Sequence, residues 1–255
     1  GLKITTGNTP GAGAGGATDG GVYKSVNKGA DWLQKTLIQS VGAARSFANV
    51  DITALAFDPG DNQAVYAGSL DSGLFYSYDG ANSWQIATGL GKVAVAKAAV
   101  DPADKCVIYV AAANKVYKST DCSRGWPQAY FDNDLRIKIT SLAIDALNGA
   151  NIFIGNSRGD IIKSSDRGAS WRVSDRLDSR VEKIVISPAS GQVMFAGTIS
   201  RGLFRSLDGG ATWVNLADKL KNFGDSQRFS DLVIVKQAKP EVFLANNYGL
   251  VKSTD

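Results

Sequence analysis

The 255-residue chain contains no histidine, so it can build no Ser–His or Cys–His nucleophile pair and no imidazole metal site. Any catalysis would have to rest on carboxylates, Tyr, Lys or Arg. Glutamate occurs only as Glu182 and Glu241, which leaves aspartate as the main acid–base resource. The two cysteines, Cys106 and Cys122, lie at the ends of an expected hairpin whose strands, Cys106–Val110 and Val116–Ser119, turn near Asn114. Symmetric pairing about Asn114 sets positions 106 and 122 opposite one another. Cross-strand Cβ atoms at about 4.5–5.5 Å lie near what a disulfide needs. The two readings are a bridge, which suggests an oxidising compartment, and a pair of buried thiols.

Charge narrows the partners. Lys and Arg exceed Asp and Glu by four, but no Lys/Arg run marks a nucleic-acid arm, so no nucleic-acid partner is expected. No run of about 18 apolar residues is present to span a membrane. The opening residues carry no signal peptide, and a mature exported chain and a cytosolic one would look alike there.

The elements that must position these groups are set by a repeat. Ser-x-Asp-x-Gly-x-x-Trp or a close variant starts at Ser25, Ser77, Ser119, Ser164, Ser206 and Ser253, so successive copies lie 42 to 52 residues apart. Its fullest forms run from Ser164 to Trp171 and from Ser206 to Trp213. A period in the forties indicates stacked supersecondary units. The segment 52–87 shows one unit: Ile52–Phe57 alternates up to an Asp58-Pro59-Gly60 turn, Val65–Ser69 follows, and Leu74–Ser77 leads through the motif into Trp84–Ala87. Four antiparallel strands per unit is the pattern of a propeller blade. The expectation is an all-β propeller of about six four-stranded blades, with five or seven as alternatives and the terminal blades incomplete. Residues 1–255 read as one domain, truncated at the C-terminus because the sixth copy stops at Asp255.

The repeat resembles the Asp-box, or BNR repeat, of sialidases, sortilin-type receptors, xyloglucan hydrolases and photosystem II assembly factors. Asp79, Asp121, Asp166 and Asp208, with Trp32, Trp84, Trp126, Trp171 and Trp213, carry the resemblance. It implies a structural motif at the outer turn between the third and fourth strands, away from a central funnel. The chemistry agrees: Ser and Asp satisfy backbone N–H groups in tight turns, Gly allows positive φ, and Trp carries apolar area between blades. Asn27 stands for Asp in the first copy and keeps the side-chain acceptor, Gly is shifted to Gly80 in the second, and Ser123 replaces it in the third. Looser turns are expected in these copies, with a disulfide at Cys122 able to compensate in the third. A calcium site needs six to eight converging oxygens, and each turn offers one Asp; no metal and no cofactor are expected.

The site is therefore expected on the opposite face, in the loops between strands two and three and between blades. Arg136, Arg158, Arg180 and Arg201 would give that face a positive potential suited to an anionic or polar partner, with Tyr130, Phe131, Phe223 and Tyr248 available for stacking. A sialidase would need an Arg-Ile-Pro tripeptide that the chain lacks. A xyloglucanase-like inverting hydrolase needs two carboxylates about 6.5–9.5 Å apart, and Asp71 or Asp160 would supply half of such a pair. Its cleft lies between two propellers, whereas this chain has one. The favoured expectation is a non-catalytic platform, secreted, periplasmic or on the cell surface, binding a protein or polysaccharide through a basic loop face. The alternatives are a fragment of a glycoside hydrolase and a scaffold like the photosystem II assembly factors, whose basic face docks a membrane-protein partner.

Overall fold

The computed structural model describes residues 2–5, 20–39, 45–222, 224, 228–235 and 241–253. Apart from one short helix, Ala217–Leu220, every regular element is a strand. Four sheets are complete, each an antiparallel meander of four strands in sequence order. They span residues 52–86, 95–131, 139–176 and 181–215. A three-stranded sheet of the same kind stands before them, at Leu2–Thr5, Gly21–Lys24 and Leu33–Gln34. Another follows, at Phe229–Val235, Glu241–Asn246 and Gly249–Ser253. Asp255 and Phe223 lie outside the described residues.

The chain forms two compact units, one of residues 1–113 with 117–128, the other of 114–116 with 129–255. In the first, Tyr66, Leu74, Val95, Ile108, Val110 and Trp126 build one core, and Val22, Phe47, Phe75 and Trp84 build a second. In the second unit, Phe153, Ile161, Val181, Met194 and Phe204 pack together, and Phe195, Leu203, Leu232 and Leu244 form a neighbouring cluster.

The burial pattern explains the strand types. The first strand Ile52–Phe57 alternates, with Ile52, Ala54 and Ala56 buried while Thr53 and Phe57 are exposed. Second strands such as Val65–Ser69 and Ile152–Asn156 are buried at every position, because neighbours cover both faces. At the close of each first strand a buried polar side chain caps the turn. Asp58 Oδ1 accepts from Gly60 N at 2.7 Å, Asp101 Oδ1 from Ala103 N at 2.9 Å, and Asp145 Oδ1 from Leu147 N at 2.9 Å.

Consecutive sheets are joined by a device that recurs in both units. In the first, a Cβ on Gly68 would collide with Val95, the opening residue of the next sheet. In the second, Gly155 lies against Val181 and Gly197 against Phe229 in the same way. A threonine completes two of the three joints. Thr53 Oγ1 donates to the carbonyls of Gly68 and Val95, at 3.2 and 2.5 Å. Thr140 Oγ1 does the same to Gly155 and Val181. Glycine here serves close approach, since neither Gly68 nor Gly155 has positive φ.

Candidate functional site

The motif turns come first because their chemistry decides whether they are available for binding. In four copies the Ser hydroxyl donates to the Asp carboxylate two residues on, at 2.7 Å in Ser77–Asp79 and 2.8 Å in Ser119–Asp121, Ser164–Asp166 and Ser206–Asp208. The same hydroxyl accepts a backbone N–H from Ala81, Ser123, Gly168 or Gly210, at 2.8–3.0 Å. The second carboxylate oxygen takes the hydroxyl of Ser83, Ser170 or Thr212. These bonds favour the charged form. The Ser170 hydroxyl, then backbone N–H groups and Ser164, hold Asp166 at about 2. Asp208 is lowered in the same way, led by Thr212, and Asp79 and Asp121 are lowered too. The carboxylates are thus occupied in holding their own turns. Among the described residues no group of three or more His, Cys, Asp or Glu side chains converges to hold a metal ion.

Each turn also places two successive residues at positive φ: Lys28-Gly29, Gly80-Ala81, Cys122-Ser123, Arg167-Gly168 and Gly209-Gly210. The third copy alone has neither as a β-unsubstituted or small alanyl residue, and left-handed backbone costs roughly 1–2 kcal/mol per such residue. Its turn nevertheless keeps the same Ser119–Asp121 and Ser123 N–Ser119 bonds as the other copies, at 2.8 and 3.0 Å. The Cys106–Cys122 disulfide is formed, and Cys122 N also donates to Cys106 O at 3.3 Å. A bridge closing a loop of this size is worth about 3 kcal/mol, enough to offset the strain. The first copy holds by exchange of roles. Asn27 Nδ2 donates to Asp31 Oδ2 at 2.7 Å, where other copies have an Asp accepting from Ser or Thr.

The five tryptophans differ. Trp84 is fully buried and donates to Lys35 O at 2.8 Å, while Trp171 donates to Ala129 O at 3.0 Å, so both reach the preceding sheet. Trp126 is buried and bonds Ser123 O within its own turn. Trp32 is 38% exposed and bonds Gly29 O, and the buried indole N–H of Trp213 has no partner among the described residues.

The loops between strands two and three lie at the other end of the third strand, and they too obey a rule. Ser69, Asn156, Thr198 and Asn246, all buried, begin these turns. Asn156 Oδ1 accepts from the N–H groups of Arg158, Gly159 and Asp160, and Asn246 Oδ1 from Tyr248 and Gly249. Ser69 and Thr198 donate to the carbonyls of Gly73 and Gly202. The next residue ties the turn to the residue just before the same sheet's first strand. Leu70 N donates to Asp51 O, Ser157 N to Lys138 O, Ile199 N to Arg180 O and Asn247 N to Arg228 O, at 2.8–3.2 Å. Both kinds of loop therefore share one face in each unit.

On that face every predicted arginine is engaged by a carboxylate. Asp160, fully buried, accepts from Arg158 Nε at 2.8 Å, from Arg176 Nε, and from Asn156 Nδ2 at 2.8 Å. Arg158 Nη2 also reaches Asp132 at 3.3 Å. Burial would raise the Asp160 pKa, but the bonds from Asn156, Arg176 and Arg158 outweigh it and hold the group low. Arg136 forks onto Asp134, whose carboxyl it depresses to about 2. Arg180 pairs with Glu182 at 2.7 Å, and Arg201 with Asp178 at 3.4 Å. These four arginines of the face thus each stand in an ion pair. Tyr248 is 56% exposed at its turn. Asp71 is exposed in the first unit and accepts from Ser72 Oγ at 2.8 Å. Tyr130 packs on Trp171, ring centroids 5.6 Å apart, and burial first, then Asp132 and Asp160, push its phenol up to about 12.

Two groups of residues went unread in the sequence: the glycine–threonine joints and the Asp132–Arg158–Asp160–Arg176 network. The first had a signal in Gly68, Gly155 and Gly197, each the last residue but one of its second strand. The second had only the local Asn156-x-x-Gly-Asp pattern, because Asp132 lies on another sheet's loop.

No family model matches the chain, and no curated relative matches it. Solved structures do. The GH74 xyloglucanase of Xanthomonas campestris aligns with a TM-score of 0.62 at 21% identity, over 80% of this chain and 36% of its own. The Niastella koreensis GH74 enzyme aligns at 0.63 and 16%, over 93% and 40%. The extracellular domain of a candidate one-component system, BT4673, of B. thetaiotaomicron aligns at 0.64 and 13%, over 93% and 30%. The chain spans well under half the length of these three proteins. At such identities the likeness establishes the fold alone: an all-β propeller of four-stranded antiparallel blades.

Proposed function

We propose that this chain is a non-catalytic, extracytoplasmic propeller platform that binds a protein or glycan partner through the face carrying the two-to-three loops. The observation that carries this reading is the anchoring of that face. Each loop is tied at its base by a buried polar side chain, while Arg158, Arg180 and Arg201 keep side chains 41–50% exposed. Rigid loops with partly exposed guanidinium groups bind at low ordering cost. The ion pairs favour a polar partner of mixed charge. We assign the turns to the Asp-box, and take each of its six copies to mark one blade, two of them represented by three strands. The Cys106–Cys122 bridge supports an oxidising location. Among the described residues no helix is long and apolar enough to cross a membrane.

The hydrolase alternative is favoured by the GH74 neighbours. Against it stands Asp160, buried and held as an anion by two guanidinium groups, which suits neither a general acid nor a water-activating base. Incubation with β-glucans is expected to release no reducing ends, and release above the buffer blank would restore the hydrolase reading. For the platform, Arg180→Glu combined with Arg201→Glu is expected to cut partner capture about tenfold or more without lowering the melting temperature. Undiminished capture would overturn it.

A further inference from the structure

Within the second unit, between Tyr130–Phe131 and Arg172–Val173 of neighbouring fourth strands, lies an open crevice of about 480 Å3. That volume falls within the roughly 300–1,000 Å3 of small-molecule sites. Tyr130 and Trp171 form one wall, their rings tilted by 60° and in contact, and Phe131, 51% exposed, lies beside them. Because the two rings touch, no slot remains between them for a flat base. They offer a concave apolar surface on which a ring can lie. The polar lining is mixed in charge: Asp132 pairs with Arg158 and Asp134 with Arg136, while Arg172 adds a guanidinium and Asn133 an amide.

We propose that this crevice is a subsite for a neutral pyranose, one residue of a larger glycan, whose C–H face lies on Tyr130, Trp171 and Phe131 while its hydroxyls meet Asn133, Asp134 and Arg172. Aromatic faces carry a negative quadrupole that attracts sugar C–H groups, and carboxylate and guanidinium edges read vicinal hydroxyls with both acceptors and donors. The mixed charge selects against a uronic acid, which would meet Asp132 and Asp134, and against a cation, which would meet Arg158 and Arg172. The inference rests on the platform reading in taking the bound sugar as left unmodified, but it requires neither Arg180 nor Arg201.

The test is titration calorimetry of the full chain with three neutral hexasaccharides, cellohexaose, mannohexaose and maltohexaose, against hexagalacturonate and adenosine. At least one neutral sugar is expected to saturate, with little dependence on salt. Phe131→Ala, at an exposed position, is expected to weaken it about tenfold, with Arg180→Glu plus Arg201→Glu titrated in parallel as the double reversal. Three results would overturn the assignment: no neutral sugar binding up to about 10 mM, preference for hexagalacturonate or adenosine, or equal affinity in Phe131→Ala. If neutral sugars fail while the double reversal still abolishes partner capture, the crevice fails and the platform stands. Loss of sugar binding in the double reversal alone would move the sugar to the loop face.

Discussion

Asp166 shows what the repeated aspartates do. Its carboxylate accepts from Ser164, Ser170 and the Ser170 backbone, and those bonds hold its pKa near 2. A carboxyl depressed in the folded state adds stability above its unfolded pKa of about 3.9, and loses it as pH falls through the folded value. For Asp166 that window runs from about pH 4 to about pH 2, and Asp79, Asp121, Asp160 and Asp208 shift in the same direction. The melting temperature is therefore expected to change little between about pH 7 and 5 and to fall steeply below about 4, as scanning calorimetry can follow. The first copy makes a sharper case. Because Asn27 donates to Asp31, Asn27→Asp sets two carboxylates against each other and should lower the melting temperature at neutral pH. Adding Asp31→Ser should restore it by recreating the common arrangement. A single substitution without effect would mean that the exchange of roles carries no weight.

At the scale of elements, two joints can be tested. The disulfide fastens the second strand of the 95–131 sheet to a turn strained at Cys122 and Ser123. Replacing both cysteines by serine is expected to cost about 3 kcal/mol in denaturant unfolding. Gly155→Ala would drive a methyl into Val181 and should cost about 1–3 kcal/mol, with partial recovery in Gly155→Ala combined with Val181→Ala. These joints mark the limit of what the sequence made legible. The strands, their order and the motif turns could be read because period-2 alternation and the Ser-x-Asp spacing are local. The disulfide could be foreseen because hairpin symmetry is local too. The glycine joints were hidden because Gly in a strand reads as weakness until the neighbouring sheet supplies Val95 or Val181. The Asp160 network was hidden because Asp132 comes from another sheet's loop and Arg176 from the end of the facing fourth strand. That network turns a candidate acid into a structural anion and a candidate binding arginine, Arg158, into its support.

For the chain as a whole, the account divides labour between the two ends of the third strands. The motif end is closed upon itself, with Ser, Asp and backbone groups mutually satisfied. The loop end is anchored at its base and exposed at its tips, which is where a binding function belongs. Arg158 is unsuitable for testing this, because its reversal would set a third carboxylate between Asp132 and Asp160. Arg180 and Arg201 are suitable, since each pairs with a single, partly exposed carboxylate. The most direct measurement compares three proteins of equal thermal stability for capture of extracytoplasmic proteins by crosslinking. They are the parent chain, Arg180→Glu with Arg201→Glu at the loop end, and Lys28→Glu with Arg124→Glu at the motif turns as a charge-matched control. The account predicts that only the loop-end pair loses binding, about tenfold or more. Equal loss in both pairs would reduce the effect to net charge, and loss in the motif-turn pair alone would contradict the account.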